Sequence, residues 1–480
     1  MDTPNYGIGT KLSYGVGSVA FGVKDNGFGS LLLLFYNQAL GLDARLAALA
    51  IAIALVVDAL IDPLIGHASD NLDTRWGRRH PFMYAAAVPA ALSYAFLFSP
   101  PTGLGQTGLF VYLLVCGVLV RACIAFFEIP NSALIAELTQ NYEERTSYLN
   151  WRLFFGWVAG LTMSVAAFGV FLSQGAAGVP GTQVPSNYQA YGITAAILML
   201  IGMLASALGT HHTIPRLKRS TVLDGHLAPA GFLKNLNRAL SSRSAVMNLL
   251  VGLFVMLSTG LLAGITPYVY SYLFILKPQQ VSILYSAAFI SAFAALASTP
   301  WISRKFEKRH AYIGVTIAAV VTTPLAAALQ LMGLLPPSDS VVFIPLLYTV
   351  GLVGTTFLII QSTLYYSMSA DVIEENEVRT GHRQEGIFFA ANTFVRKCAT
   401  GLGVLLTSAI LAFVDFPEKA IPGSIPEPMI NLLVEYFIGS FILLNCTTIA
   451  FVIAYRITRA RHAEHLAILA DKRGSDIAAI

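Results

Sequence analysis

Charged residues are scarce in this sequence. Asp, Glu, Lys and Arg make up 12% of its 480 residues, where a water-soluble domain carries about 25%. That deficit excludes a chain that faces water over most of its surface, and 55% hydrophobic residues fill the gap. Cysteine is rarer still. Cys116, Cys123, Cys398 and Cys446 all lie in apolar runs, without metal-ligand spacing. They read as small hydrophobes in helices. Histidine is confined to loops, tails and helix ends, which argues against an enzyme with a metal centre inside a membrane. A cleavable signal peptide is also missing. MDTPNYGIGTKLSYG has no basic start followed by a compact apolar core, so the first helix is expected to be retained.

What is present is a series of apolar runs. A bilayer-spanning helix needs about 20 mainly apolar residues. Twelve candidates fall near 12–40, 44–66, 81–99, 107–136, 147–173, 188–210, 245–273, 280–302, 311–333, 341–368, 385–413 and 430–456. The expected fold is therefore all-α and integral to the membrane, with twelve transmembrane helices in two pseudo-symmetric six-helix bundles. About 23 Lys and Arg residues fall in the tails and one alternate set of loops, against about 3 in the other set. That bias places both termini and the long loop near 211–244 in the cytoplasm, and the expected location is the inner (plasma) membrane. The expected domains are a bundle at 1–210, a basic middle loop at 211–244, a second bundle at 245–456 and a tail at 457–480.

The chain also repeats. AELTQNYEERT (Ala136–Thr146) and ADVIEENEVRT (Ala370–Thr380) match at an offset of about 234, and Phe154 and Phe155 match Phe388 and Phe389 at the same offset. Seven coincidences at one offset predict two related halves.

Few ionisable residues lie inside the runs. Such groups normally face a polar cavity and pair with one another. The acids are Asp25, Asp58, Asp62 and Glu128, all in the first half. Asp58 and Asp62 are one helical turn apart and share a face. Two adjacent carboxylates repel unless a cation or a shared proton intervenes, so they are candidates for cation binding. The alternative is a charge pair locking the second helix to a neighbour. Glu128 precedes Pro130, which should break the backbone locally. It is read as a cation or substrate ligand, or else as the partner of Arg152 or Arg121. Lys24 and Asp25 could offer a donor and an acceptor to a polar substrate. Lys397 lies in the half without buried acids and is expected to need one of theirs. Arg121 reads as structural packing.

At the cytoplasmic side Asp70, Arg75, Arg78, Arg79, Glu137, Glu143, Arg145, Asp371, Glu377 and Arg379 are candidates for a gate of ion pairs that form and break. The alternative is fixed pairing at helix ends.

These residues resemble the glycoside–pentoside–hexuronide:cation symporter family, within the major facilitator superfamily, whose best-known member is the bacterial melibiose carrier. The resemblance covers nearly the whole chain. It rests on SYGVGSVAFGVKD, DALIDPLIGHASDNLDTRWGRRHP (Asp58–Pro81), the EIP of 128–130, AELTQNYEERTSYLNWR, ADVIEENE and Lys397. It implies Na⁺-, H⁺- or sometimes Li⁺-coupled sugar uptake by alternating access. Asp58 and Asp62 fall on the family's cation-binding positions, Lys24, Asp25, Glu128 and Arg152 on its sugar-ligand positions, and Lys397, also expected on the substrate side, on its eleventh-helix lysine. Glu128 replaces an aspartate there, Ala125 a threonine, and Ser132 and Ser362 tryptophans. Phe127, Trp151, Phe154, Tyr365 and Tyr366 could supply the missing aromatic face. No cofactor beyond a coupling Na⁺ or H⁺ is expected. The expected partners are a small sugar-like molecule and the lipid bilayer, with no nucleic acid and a monomer as the working unit. A cation-coupled carrier of a non-sugar amphiphile such as a lysolipid is the second reading. A membrane-embedded enzyme and a passive channel are the other classes weighed.

Overall fold

A computed structural model of the chain describes residues 6–72, 74–139, 141–175, 179–216, 242–380 and 385–455, with Arg461, Glu464 and Ile468 of the tail. Most of the middle loop and most of the tail therefore lie outside the described residues. The architecture is helical throughout. α1 is assembled from Ile8–Val16, Val19–Asn26, a π-helical turn at Gly27–Leu31, Leu32–Leu34 and a second π turn at Phe35–Ala39. α2 is Ala44–Asn71, α3 is His80–Leu97 and α4 is Gln106–Leu138. α5 is Tyr142–Ala166, prolonged by a π turn at Ala167–Phe171, and α6 is Pro185–His211. α7 is Arg243–Tyr268, prolonged by a π turn at Val269–Leu273, and α8 is Pro278–Lys305. α9 is Lys308–Thr322 continued as Leu325–Leu331. α10 is Phe343–Thr380, α11 is Glu385–Phe413 and α12 is Glu427–Ala454.

Among the described residues ten helical stretches are long and apolar enough to cross a membrane. The other two expected spans are present as α1 and α3. α1 is cut into short pieces by its π turns and glycines. α3 is only 18 residues long and includes His80, Pro81 and Pro89. The backbone break expected at Pro130 is absent, since α4 runs through it from Gln106 to Leu138. A proline removes one helical hydrogen bond and need not end a helix whose other turns are packed.

The two repeats also differ from simple loops. In the first copy the chain leaves α4 at Thr139, and Asn141 Oδ1 accepts the Glu144 amide at 3.3 Å to start α5. In the second copy Ile373, Glu374 and Glu375 stand at the positions of Thr139, Gln140 and Asn141, and α10 continues to Thr380. Helix formers have replaced side chains that compete for the backbone.

The chain forms two compact units. The first joins Met1–Val222 to Ala263–Ser286 and Val404–Ile430. The second comprises Leu223–Leu262, Ala287–Gly403 and Asn431–Ile480. In the first, α2 packs on α4, α3 on α4 and α6, and α1 on α5 and α6. The second has its own core, with Tyr312, Tyr365, Met368 and Tyr455 buried among aliphatic residues. A buried polar ladder crosses that core. Asn445 donates to Ser258 Oγ at 3.0 Å, and Gln361 donates to Thr316 Oγ1 at 3.0 Å and to Asn445 Oδ1 at 3.2 Å. Satisfied networks of this kind fix a helix register where lipid and core are equally apolar.

Small residues set the closest helix crossings. A Cβ on Gly22 of α1 would lie 1.9 Å from the carbonyl oxygen of Gly156 on α5. In the second unit a Cβ on Gly260 of α7 would lie 2.2 Å from the Thr400 carbonyl oxygen on α11. A backbone carbonyl cannot swing away as a flexible side chain can. Gly22→Ala is therefore expected to separate α1 from α5 and cost about 1–3 kcal/mol. Gly156→Ala meets only ordinary contacts, the nearest at 3.5 Å, and should leave thermal unfolding of the purified protein almost unchanged.

Candidate functional site

Four helices of the first unit bring the predicted ionisable residues together in pairs. On α1, Lys24 Nζ lies 3.1 Å from Asp25 Oδ1. Lys24 is buried and also sits 4.8 Å from the Phe21 ring centroid, while Asp25 is exposed. On α4 and α5, Arg152 Nη2 donates to Glu128 Oε1 at 3.3 Å. Both of those side chains are part-buried. Of the two arginines named as partners for Glu128, the one it meets is Arg152.

The third pair was not foreseen. Arg121 Nη1 of α4 donates to Asp58 Oδ2 of α2 at 3.2 Å. Asp58 is 2% exposed and Arg121 4%. The guanidinium carbon also lies 4.4 Å from the centroid of the buried Phe28 ring, a cation–π contact. The charges of Asp25 and Asp62 act on the same guanidinium. Asp62 is half-buried, and its Oδ1 is fully enclosed. Arg121, Ala125 and Glu128 recur at the i, i+4, i+7 spacing of one α4 face. That spacing was legible in the sequence and could have placed Arg121 beside the aspartates. Removing one partner of such an enclosed pair costs about 3–5 kcal/mol.

The other candidates are dispersed. Lys397 is half-buried on α11 in the second unit. Phe127 and Tyr365 are core residues, and Tyr365 donates to Asn392 Oδ1 at 3.0 Å. Trp151 is half-buried against Phe154 and Phe155, and Phe154 and Tyr366 are exposed.

The gate candidates form ion pairs inside each unit. Arg78 Nε donates to Glu137 Oε1 at 2.7 Å, and Arg79 Nε donates to the same oxygen at 3.0 Å. Arg79 also reaches Asp70 and donates to Ser69 Oγ at 2.6 Å. This ties the α2–α3 turn to the end of α4. In the second unit Lys308 at the start of α9 donates to Asp371 of α10 at 2.7 Å. Glu137 and Asp371 are the repeat partners, so the same brace is built twice. Arg75 is exposed, with its guanidinium carbon 5.4 Å from the Trp76 ring centroid. Arg145 and Arg379 are exposed and Glu377 is half-buried. The Glu143 side chain lies outside the described residues.

A further polar cluster sits at the opposite end of the first unit. The π turns Phe35–Ala39 and Val269–Leu273 are themselves related by the offset of 234. Tyr268 donates to Asn37 Oδ1 at 3.0 Å, and Tyr272 to Gln38 Oε1 at 2.8 Å. Gln38 Oε1 also accepts the Ala420 amide at 2.9 Å. All of these side chains are buried. The sequence signal was Asn37-Gln38 at the end of an apolar run, and it passed unread because neither residue carries charge.

A family model described as MFS/sugar transport protein matches residues 13–459. The chain belongs to this family. It is a multi-pass membrane transporter with the major facilitator fold. The chain is 27% identical to an uncharacterised symporter of Synechocystis over 95% of both chains. It is 25% identical to the isoprimeverose transporter of Lactiplantibacillus pentosus, over 84% of this chain and 79% of that one. The crystal structure of a D-xylose-proton symporter superposes with a TM-score of 0.64 at 14% identity, covering 94% of this chain and 98% of that one.

The two braces differ in burial, and this transporter should register the difference. The Arg79 and Glu137 side chains are each 7% exposed, whereas that of Lys308 is 30% exposed. Glu137→Gln takes the carboxylate from Arg78 and leaves the buried Arg79 only Asp70, and should cost about 3 kcal/mol. Asp371→Asn should cost about 1 kcal/mol, because solvent screens the lysine. Paired thermal-unfolding curves of the two purified variants measure the gap.

Proposed function

We propose that the chain is a secondary active symporter that couples uptake of a sugar or glycoside to Na⁺ or H⁺ by alternating access. The observation that carries this is the interleaved charge cluster of α1, α2, α4 and α5. Four acids (Asp25, Asp58, Asp62 and Glu128) meet three bases (Lys24, Arg121 and Arg152) inside one bundle. Ionisable groups inside a membrane bundle mark paths for ions or polar cargo. The sugar class draws on the printed names of the relatives.

In this reading Asp58, Asp62 and Glu128 form the cation side of the site. Lys24, Asp25, Glu128, Arg152 and Lys397 form the substrate side. A sugar hydroxyl can both donate and accept, so it can join an ion pair such as Arg152–Glu128 without stranding either charge. The protein catalyses no covalent step and needs no cofactor besides the coupling ion. It works as a monomer in the plasma membrane, with both termini and the braces of Glu137 and Asp371 on the cytoplasmic side. Residues 1–210 and 245–456 act as the two bodies of alternating access, joined by 211–244.

Uptake of a radiolabelled sugar panel into proteoliposomes, with imposed Na⁺ and proton gradients, tests the reading. Concentrative uptake of at least one sugar should collapse when an ionophore removes the gradient. Asp58→Asn also strips Arg121 of its carboxylate and should lower the yield, so accumulation is scored per folded transporter, where it should be abolished; normal accumulation by that variant would defeat the cation assignment. Arg152→Ala should weaken substrate binding by at least about tenfold, roughly one lost charge-assisted hydrogen bond, and leave cation binding unchanged. Equal loss of both would make Arg152 structural.

A further inference from the structure

The Asp58–Arg121 pair has a consequence for which ion this site accepts, and the inference rests on the symport reading above. An alkali cation is a hard ion held by several oxygens at once, carboxylates foremost. Asp58 is the most enclosed carboxylate of the cluster, and Arg121 Nη1 lies 3.2 Å from its Oδ2. Guanidinium is always protonated, so its positive charge cannot be switched off. Its position is fixed as well. Phe28 covers the guanidinium 4.4 Å from its ring centroid, Phe28 itself is 3% exposed, and Arg121 is 4% exposed. One turn further along the same α4 face stands Ala125, also buried, which has no side-chain oxygen to offer.

We propose that Arg121 determines the ion preference of this transporter: its guanidinium occupies, as a tethered cation, the place against Asp58 that Na⁺ or Li⁺ would take. An alkali ion approaching Asp58 meets a fixed like charge. Arg121 is thus a specificity-determining residue that acts through Asp58. Its role differs from packing, because packing would not distinguish one cation from another.

The test uses the purified full-length protein with Na⁺ as the probe, without sugar or gradient. Equilibrium binding of ²²Na⁺ and thermal unfolding are compared in NaCl and in choline chloride at one pH and ionic strength. The wild type is expected to bind no Na⁺ saturably and to unfold at the same temperature in both salts. Arg121→Gln vacates the place beside a buried carboxylate. It should bind Na⁺ at least about tenfold more tightly than the wild type and be stabilised by NaCl but not by choline. Arg121→Lys, which keeps the charge, should behave as the wild type. Asp58→Asn added to Arg121→Gln should remove the gained binding.

Saturable Na⁺ binding by the wild type that Asp58→Asn abolishes would overturn the proposal while leaving the symport reading intact. So would an Arg121→Gln protein as indifferent to Na⁺ as the wild type, or gained binding that survives Asp58→Asn. If Arg121→Gln folds poorly, recovery of its yield on purification in NaCl supports the proposal, and a yield indifferent to NaCl counts against it. Absence of any concentrative sugar uptake would remove the symport reading without touching these binding results.

Discussion

An ionised side chain enclosed in a membrane bundle persists only with an opposite charge beside it. The first unit of this transporter is arranged around that constraint. α1, α2, α4 and α5 each contribute a charged group, and each lysine or arginine of the cluster reaches a carboxylate: Lys24 to Asp25, Arg121 to Asp58 and Arg152 to Glu128. Two of these pairs join different helices. They fix the rotation of α2 against α4 and of α4 against α5, which apolar contacts alone specify poorly in lipid. The pairs grade in enclosure from Asp58–Arg121, fully buried, to Glu128–Arg152, part-buried. A visiting molecule can exchange partners with the open pair far more readily than with the enclosed one.

The internal repeat gives the same constraint a second expression. Glu137 and Asp371 hold equivalent places and are each braced by basic residues of the preceding helix connection. The π turns at Phe35–Ala39 and Val269–Leu273 are likewise equivalent. A π turn widens the helix by one residue and frees backbone geometry for polar contacts. Here the two turns point Asn37 and Gln38 at Tyr268 and Tyr272. One end of the first unit is thus held by charge and the opposite end by neutral hydrogen bonds. Neutral bonds contribute about 1 kcal/mol each and part more easily than enclosed ion pairs, a useful asymmetry in a protein whose access must alternate.

Much of this was legible in the sequence, for identifiable reasons. Helix positions followed from apolar run length, and α11 begins and ends where expected, at Glu385 and Phe413. The site residues were legible because charge in an apolar run is conspicuous. Their pairing was not. The i, i+4, i+7 spacing of Arg121, Ala125 and Glu128 put Arg121 on the charged face of α4, but it did not name Asp58, 63 positions away on another helix, as its partner. The apolar run near 341–368 stops short of the end of α10 because ADVIEENEVRT is polar. Its Glu residues are good helix formers, and the helix simply runs past the apolar zone. Asn37 and Gln38 escaped because their meaning depends on π-turn geometry and on Tyr268 and Tyr272, more than 200 positions downstream.

The Asp58–Arg121 pair also bears on how one scaffold can serve different ions. Two unit charges about 4 Å apart interact by about 4 kcal/mol at an effective permittivity near 20. A guanidinium fixed at that range would oppose an alkali ion by roughly a thousandfold in affinity, before any missing oxygen is counted. The same charge holds α2 to α4 through Asp58, so the helix contact persists while the ion choice changes. A single side chain on α4 can therefore exchange a mobile cation for a tethered one without rebuilding the bundle. The requirement that every enclosed carboxylate be neutralised stays satisfied throughout, and only the source of the positive charge differs.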